Sequence, residues 1–325
     1  MKAVLCRAYG PPDQLEIAEV ATPEPKAGEI VIGVRACAVN FPDTLIIQGK
    51  YQFQPPLPFT PGTDVAGVVQ ALGAGVEGLA VGDRVATLVM HGGYAEAVIC
   101  DARTATRIPD GVDFVMAAAF QMAYGTSYHA LVDRGRLQTG ETLLVLGASG
   151  GVGLAAVELG KLLGARVIAA ASSAAKLEVC RQRGADEVID YGSEDLRERL
   201  KALAPRGVDV VYDPVGGALA EPALRGVGWR GRYLVVGFAA GDIPRIPLNL
   251  PLLKGCSVVG VFYGGFIQHE PERSQANTRQ LLNWIAEGKI TPLVSRTYPL
   301  EHAADALKDV MARRATGKLV LVMGE

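Results

Sequence analysis

In the stretch "LLVLGASGGVG", Ala148, Gly150 and Gly153 fill a G-x-G-x-x-G template, with Ala in the first glycine place and Ser149, Gly151 and Val152 between them. Such a template cradles a pyrophosphate only where it follows a strand and opens a helix, and the apolar residues 143–146 precede it while the helix-permissive 154–163 follow. In that setting Ala148 makes the tight turn, Gly150 lets the backbone approach the phosphates, and Gly153 lets helix pack on strand. The N–H groups at the helix start then face the ligand. About 20 residues further on, an NAD site places an acid on the ribose 2′-hydroxyl. Here Ser172 and Ser173 stand at that strand end, then Lys176, with no acid. A carboxylate repels a 2′-phosphate, whereas hydroxyls and a lysine hold one, so the pattern favours NADPH over NADH. Lys176 also reads as a solvated helix-start lysine, although a lysine there opposes the helix dipole and so favours an anionic neighbour.

These residues need a scaffold, and the chain supplies two rhythms. Over roughly the first 120 residues, short alternating or β-branched segments such as "EIVIGVRACAV", "DVAGVVQAL" and "DRVATLV" are separated by Gly, Pro and Asp turns, as in a partly open barrel or sandwich. A helix-permissive segment, "DFVMAAAFQMAYGTSYHALVD", follows. From Glu141 the rhythm changes to apolar strands ("TLLVLG", "ARVIAAA", "DEVIDY", "VDVVYDP", "RYLVVGF", "CSVVGVF") spaced by helical stretches. Strands apolar almost throughout imply a parallel sheet covered on both faces, and this number matches a doubly wound dinucleotide domain. A helix over 275–287 and the strand-like "GKLVLVMG" complete the chain, and pattern alone assigns that tail to neither part.

Composition narrows the class. With 325 residues and 49% apolar content the chain fits two domains, and a net charge of −2 with interspersed signs argues against a nucleic-acid or polybasic membrane surface. The N-terminal run has no signal-peptide core, and no apolar run is long enough to span a bilayer, so a cytoplasmic, membrane-free protein is expected. The five cysteines (Cys6, Cys37, Cys100, Cys180, Cys256) are scattered without a CxxC pair, and none of the four histidines (His91, His129, His269, His302) sits at ligand spacing from another.

The sequence resembles the zinc-free quinone oxidoreductase family of the medium-chain dehydrogenase/reductase superfamily over essentially its whole length. The carriers are "ACAVNFPDTLIIQGKY", "PGTDVAGVV", "VGDRV", "GGYAE", "GTSYHAL", "LGASGGVG", "GADEVIDY", "DPVGG", "GRYLVVGFAAG" and "TGKLVLV", in the family's order. The resemblance implies an α/β protein: a GroES-like β-rich catalytic domain begun by residues 1–122, a Rossmann NADP-binding domain over 123–262, and a return to the catalytic domain over 263–325. It also implies an active site in a cleft between the domains, and no metal. Zinc-dependent relatives place a cysteine ligand where Asn40 stands and a His-Glu pair where "PGTD" continues with Thr63 and Asp64, and they carry a four-cysteine lobe missing here.

By the same resemblance, Asn40, Asp43 and Tyr51 are the catalytic candidates. Asn40 and Asp43 correspond to polar residues beside nicotinamide and substrate carbonyl, and Tyr51 to a substrate-side tyrosine. Thr126 corresponds to the residue bonding the nicotinamide carboxamide, Tyr191 to one near the adenine 2′-phosphate, and Gly237, Phe238 and Phe262 to contacts of the nicotinamide half. As bare residues, Asn40 is also a turn former, Asp43 a helix cap for "TLIIQGK", and Tyr51 a packing residue on the proline-rich "QFQPPLPFTP". Leu45 and Ile46 stand where some relatives have a second tyrosine, implying a more apolar pocket.

The implied chemistry is hydride transfer from NADPH to a quinone or another small electron-poor acceptor, with Asn40 and Tyr51, or backbone N–H groups near Phe238 or Phe262, as oxyanion donors. Reduction of enones or enoyl coenzyme A thioesters is the enzymatic alternative, for which Arg225, Arg230 and Arg232 are candidate members of a second-nucleotide patch. A non-catalytic NADPH-binding protein is the other alternative. By the same resemblance a homodimer is expected, through antiparallel pairing of the apolar strand "CSVVGVF", which is otherwise an exposed edge.

Overall fold

The computed structural model describes residues 1–324. The chain divides into two compact units, one from residues 1–122 with the segment from Thr278 onward, the other from Ala123–Asn277.

The chain enters the first unit through β1 (Lys2–Leu5) and β2 (Glu16–Glu19), an antiparallel pair. Then come β3 (Glu29–Val39), β4 (Asp64–Leu72), β5 (Arg84–Leu88), β6 (Ala97–Asp101) and β7 (Thr106–Arg107). The middle of the chain forms β8 (Thr142–Leu146), β9 (Arg166–Ala171), β10 (Glu187–Asp190), β11 (Val208–Asp213), β12 (Val227–Val235) and β13 (Ser257–Gly260). The tail adds β14 (Val294–Pro299) and β15 (Lys318–Val322).

In the first unit these strands make one sheet in the order β14-β15-β3-β4-β5-β7, with β6 also on β3. Its centre is "EIVIGVRACAV", whose Ile30, Ile32, Val34, Cys37 and Val39 join Val65, Val85, Leu319 and Leu321 in the core. Burial of so long a strand, rich in β-branched residues, adds to the apolar driving force of this unit. A Cβ on Gly67 would stand 2.1 Å from the Gly33 carbonyl oxygen, so β3 and β4 approach too closely there for any other residue.

The second unit is a fully parallel sheet in the order β10-β9-β8-β11-β12-β13. Numbered within this unit the order is 3-2-1-4-5-6, the doubly wound order that places a ligand crevice beyond the ends of β8 and β11, where the connections leave in opposite directions. Leu143, Leu144, Val145 and Leu146 have no exposed surface, as expected of a strand covered on both faces. The α/β class and its two parts, GroES-like and Rossmann, are as the sequence implies.

Boundaries differ in detail. The return to the first unit comes at Thr278, not at 263. Residues 263–277 stay with the second unit because Phe266 stacks on the buried His129 at 3.9 Å, while Arg273 and Asn277 both bind Asp133. The helix expected over 275–287 starts earlier, at Pro271. The helical segment after residue 113 breaks into Phe114–Ala119 and Gln121–Tyr128, then a π turn at His129–Arg134. No helix of the described residues is long and apolar enough to cross a membrane.

Candidate functional site

Most of the residues expected at a dinucleotide lie in the second unit, at the C-terminal ends of neighbouring strands. Ala148, Ser149, Gly150, Gly151, Val152 and Gly153 follow β8, Ser172, Ser173 and Lys176 follow β9, Tyr191 follows β10, Gly237 and Phe238 follow β12, and Phe262 follows β13. Thr126 is buried on the helix Gln121–Tyr128, whose next residue, Ser127, donates from Oγ to the Val152 carbonyl at 2.8 Å and so ties that helix to the glycine turn.

The turn itself corrects one detail. Gly147, with φ +57°, takes the left-handed conformation that a tight strand-to-helix reversal needs, and Ala148 is merely buried behind it. Gly153 is sterically required, since its Cβ would lie 2.3 Å from the Gly147 carbonyl oxygen and 2.8 Å from the Ala148 Cα. Gly150 is different. Its backbone (φ −78°, ψ 171°) suits any residue, and a Cβ there would meet only the Gly147 oxygen, at 3.5 Å. Folding makes no demand for glycine at 150, whereas a ligand pressed against the backbone does. The helix that begins at Gly151 offers first-turn N–H groups with no intrahelical partner, a fitting cradle for a pyrophosphate. At the end of β9, Lys176 Nζ lies 3.3 Å from Ser172 Oγ, so a hydroxyl and an ammonium converge there, with Asp190 on the paired end of β10.

The first unit holds a second constellation, buried and polar. The chain turns at Asn40 into the helix Phe41–Ile46, and Asp43, three residues on, accepts the Asn40 N–H at 2.8 Å as in a capping box. The same Asp43 oxygen accepts the Tyr94 hydroxyl at 2.9 Å, while its other oxygen is buried without a partner. Asn40 Nδ2 donates to Thr63 Oγ1 at 3.3 Å, and Asn40 Oδ1 accepts from the ammonium of Lys318 at the start of β15. Lys318 Nζ lies 3.8 Å from Asp64, whose carboxylate also receives the Met122 N–H.

Low polarity around these groups shifts their titration. Burial pushes the Asp43 carboxyl up to about 7 and that of Asp64 to about 6, with the hydrogen bonds and Lys318 acting the other way. Burial also lowers Lys318 and raises Tyr51, which the nearby Asp43 charge raises further. Tyr51 is half-buried against the core of this unit, and Asp43 caps the helix Phe41–Ile46.

Sequence reasoning missed Lys318, Thr63, Asp64 and Tyr94 as parts of this network. Each sits in a motif quoted above, yet only the partnering of distant strands brings them to Asn40. Of the three arginines expected in a basic patch, Arg225, Arg230 and Arg232, two are already paired with acids. Arg225 is held by Glu221, and Arg232 by Glu141 and the Gly135 carbonyl oxygen.

Comparison with known proteins agrees with both units. Residues 26–110 match the family described as "Alcohol dehydrogenase GroES-like domain" and residues 151–287 that described as "Zinc-binding dehydrogenase". The chain is 38% identical over 322 residues to the rat quinone oxidoreductase-like protein 2, covering 98% of this chain and 91% of that protein. It is 33% identical to the human quinone oxidoreductase, covering 99% and 98%. The crystal structure of the Escherichia coli quinone oxidoreductase complexed with NADPH superimposes with a TM-score of 0.92 at 32% identity, covering 99% of this chain and 100% of that one. The chain therefore belongs to the medium-chain dehydrogenase/reductase family of oxidoreductases, in its quinone oxidoreductase-type branch.

Proposed function

We propose that this protein is a metal-independent oxidoreductase that uses NADPH to reduce a quinone. The observation that carries the cofactor reading is the end of β9, where the Lys176 ammonium meets the Ser172 hydroxyl and the strand is followed by serines, not by an acid. The NADPH-bound relative from Escherichia coli supports it. Ala148–Gly153 would hold the pyrophosphate, Ser172, Ser173, Lys176 and Tyr191 the adenosine phosphate, and Thr126, Gly237, Phe238 and Phe262 the nicotinamide half. A bound nicotinamide supplies hydride; the protein's own part is to bind, orient and stabilise charge. Of the two oxyanion donors expected, Tyr51 offers an O–H to a carbonyl oxygen on which negative charge grows, whereas the Asn40 amide N–H groups are turned to Thr63 and Asp64. Asp43, beneath them, holds Asn40 and Tyr94 in place.

The donor set disfavours a metal. The carboxylates that could bind one, Asp43 and Asp64, face the Lys318 ammonium, and burial raises the Cys37 thiol well above its ordinary range. Among the described residues no group of three or more His, Cys, Asp or Glu side chains could hold an ion. The dispersal of Arg225 and Arg232 onto separate acids weakens the coenzyme A alternative. We further propose a homodimer through β13, where Val258 is 45% exposed and the adjacent helix Asn249–Lys254 exposes Leu252 and Leu253 at 78% and 71%. The five free thiols fit a reducing compartment, and we place the protein in the cytoplasm.

The test follows NADPH absorbance with 1,4-benzoquinone, cyclohexenone and crotonyl coenzyme A, with NADH as control. Preference for the quinone with NADPH is expected. Preference for the enone or thioester would make this an ene-reductase on the same scaffold, and tight NADPH binding without turnover would make it a binding protein.

A further inference from the structure

Asp213, the last residue of β11, carries a carboxylate almost cut off from water, at 3% exposure. A carboxylate only accepts hydrogen bonds, and a buried one needs donors for both of its oxygens. Here Oδ1 accepts the backbone N–H groups of Val215 and Gly216, both at 2.8 Å, and Oδ2 accepts the Tyr233 hydroxyl from β12. The chain is thereby bent back directly after the strand. Gly216 and Gly217 complete the bend at φ +66° and +57°, a region that favours glycine.

The segment that follows β12 is fastened to this bend. The Asp213 carbonyl accepts the Val236 N–H at 2.9 Å, that of Pro214 the Ala239 N–H at 3.1 Å, and that of Val215 the Ala240 N–H at 2.9 Å. The two stretches also lie very close. A Cβ on Gly237 would stand 3.3 Å from the Pro214 oxygen, and one on Gly216 only 2.8 Å from the Phe238 ring. The path of 237–240 and the seat of the Phe238 ring therefore follow the bend at 213–217, and the bend follows the carboxylate.

We propose that Asp213 is a positioning residue for the nicotinamide half of the cofactor: by holding the bend at 213–217 it sets where Gly237 and Phe238 lie. The proposal rests on the reading of Gly237 and Phe238 as contacts of that half. The adenosine half is assigned to Ser172, Ser173, Lys176 and Tyr191, which follow β9 and β10 on the other side of β8. Loss of the carboxylate should thus divide the two halves of one ligand, whereas a general loosening of the unit would weaken both.

The test titrates the full-length protein with NADPH and with 2′,5′-ADP, which carries the adenosine half alone. Asp213→Ala/Tyr233→Phe removes the carboxylate together with the hydroxyl that would otherwise be buried without an acceptor, and Tyr233→Phe alone is its reference. Relative to that reference, NADPH is expected to bind ~10–100-fold more weakly, the scale of lost hydrogen bonds to a charged group, and 2′,5′-ADP within ~3-fold. The nicotinamide emission of bound NADPH is expected to shift at saturation. Asp213→Asn keeps an oxygen for the two N–H groups and is expected to bind both ligands within ~3-fold of the parent. If Asp213→Ala/Tyr233→Phe does not fold, Gly216→Ala takes its place: it drives a methyl at the Phe238 ring with the carboxylate intact, and the same divided loss is expected. Equal weakening of the two ligands, or weakening of neither, overturns the inference. Phe238→Ala that leaves NADPH affinity and emission untouched overturns instead the placing of that residue at the cofactor.

Discussion

Gly150 and Gly153 stand three residues apart in one turn, and alanine at each should fail in a different way. At Gly150 the added methyl finds only the Gly147 oxygen, at 3.5 Å, and the backbone is already in a region alanine favours. Folding stability should be unchanged or higher by ~0.4–1 kcal/mol, because the unfolded chain loses freedom. The methyl then projects where the pyrophosphate would press against the backbone. An overpacking penalty of ~1–3 kcal/mol falls wholly on binding and weakens NADPH about 5- to 150-fold. At Gly153 the methyl meets backbone at 2.3 and 2.8 Å and must push the helix off β8. That penalty falls on the fold, partly offset by alanine's better helix propensity of ~1 kcal/mol. The assay is a pair of measurements on each variant, the melting temperature without cofactor and the dissociation constant for NADPH by fluorescence titration. Gly150→Ala should melt within ~2 °C of the parent or above it and bind NADPH about 5- to 150-fold more weakly. Gly153→Ala should melt lower by several degrees. If Gly150→Ala binds NADPH as tightly as the parent, no pyrophosphate lies against that turn and the cofactor reading fails.

Three further outcomes are expected. Lys176→Glu puts an acid where Lys176 meets Ser172; NADPH should weaken at least ~10-fold and NADH less than ~3-fold, and equal losses in paired titrations would remove Lys176 from the 2′-phosphate site. Asp43, raised by burial to about 7, binds a proton in the folded state that the unfolded chain lacks between about pH 4 and 7, so its share of stability grows as pH falls through that window. Urea unfolding at pH 5.5 and 7.5 should therefore show a gain at the lower pH on the order of 2 kcal/mol that Asp43→Asn lacks; the same gain in both proteins refutes the assignment. Val258→Lys charges the exposed edge of β13 and should convert the proposed dimer to monomer in sedimentation, with unfolding otherwise unaltered.

The parts of the fold that the sequence makes legible are those governed by near neighbours. The strands of the second unit are apolar end to end, and the glycine turn sits between one of them and a helix, so local pattern suffices to place Gly150, Ser172 and Lys176 on one edge. Even there the turn's left-handed residue, Gly147, lay one position outside the template. The first unit is another matter. Asn40 and Asp43 are close in sequence, and a capping arrangement is visible in "NFPD". Lys318 reads only as the start of an apolar strand. Its meaning depends on β15 lying beside β3 in antiparallel register, Leu319 opposite Val39, and no local periodicity encodes that pairing. The break at Thr278 was hidden likewise, because the anchors of 263–277 are His129 and Asp133, far earlier in the chain.

The place of β15 between β14 and β3 bears on how the protein is made. The second unit is continuous and has all its strands once residue 260 has been synthesised, so it can fold while the ribosome is still at work. The first unit cannot. A nascent chain lacking residues 318–322 leaves β3 with an unpaired edge and Asn40 Oδ1 without its ammonium partner. Biosynthesis thus has a built-in order: the nucleotide-binding half is assembled early, the residues expected to meet the acceptor are set only when the last strand arrives, and a prematurely ended chain would keep cofactor-binding capacity without a working site.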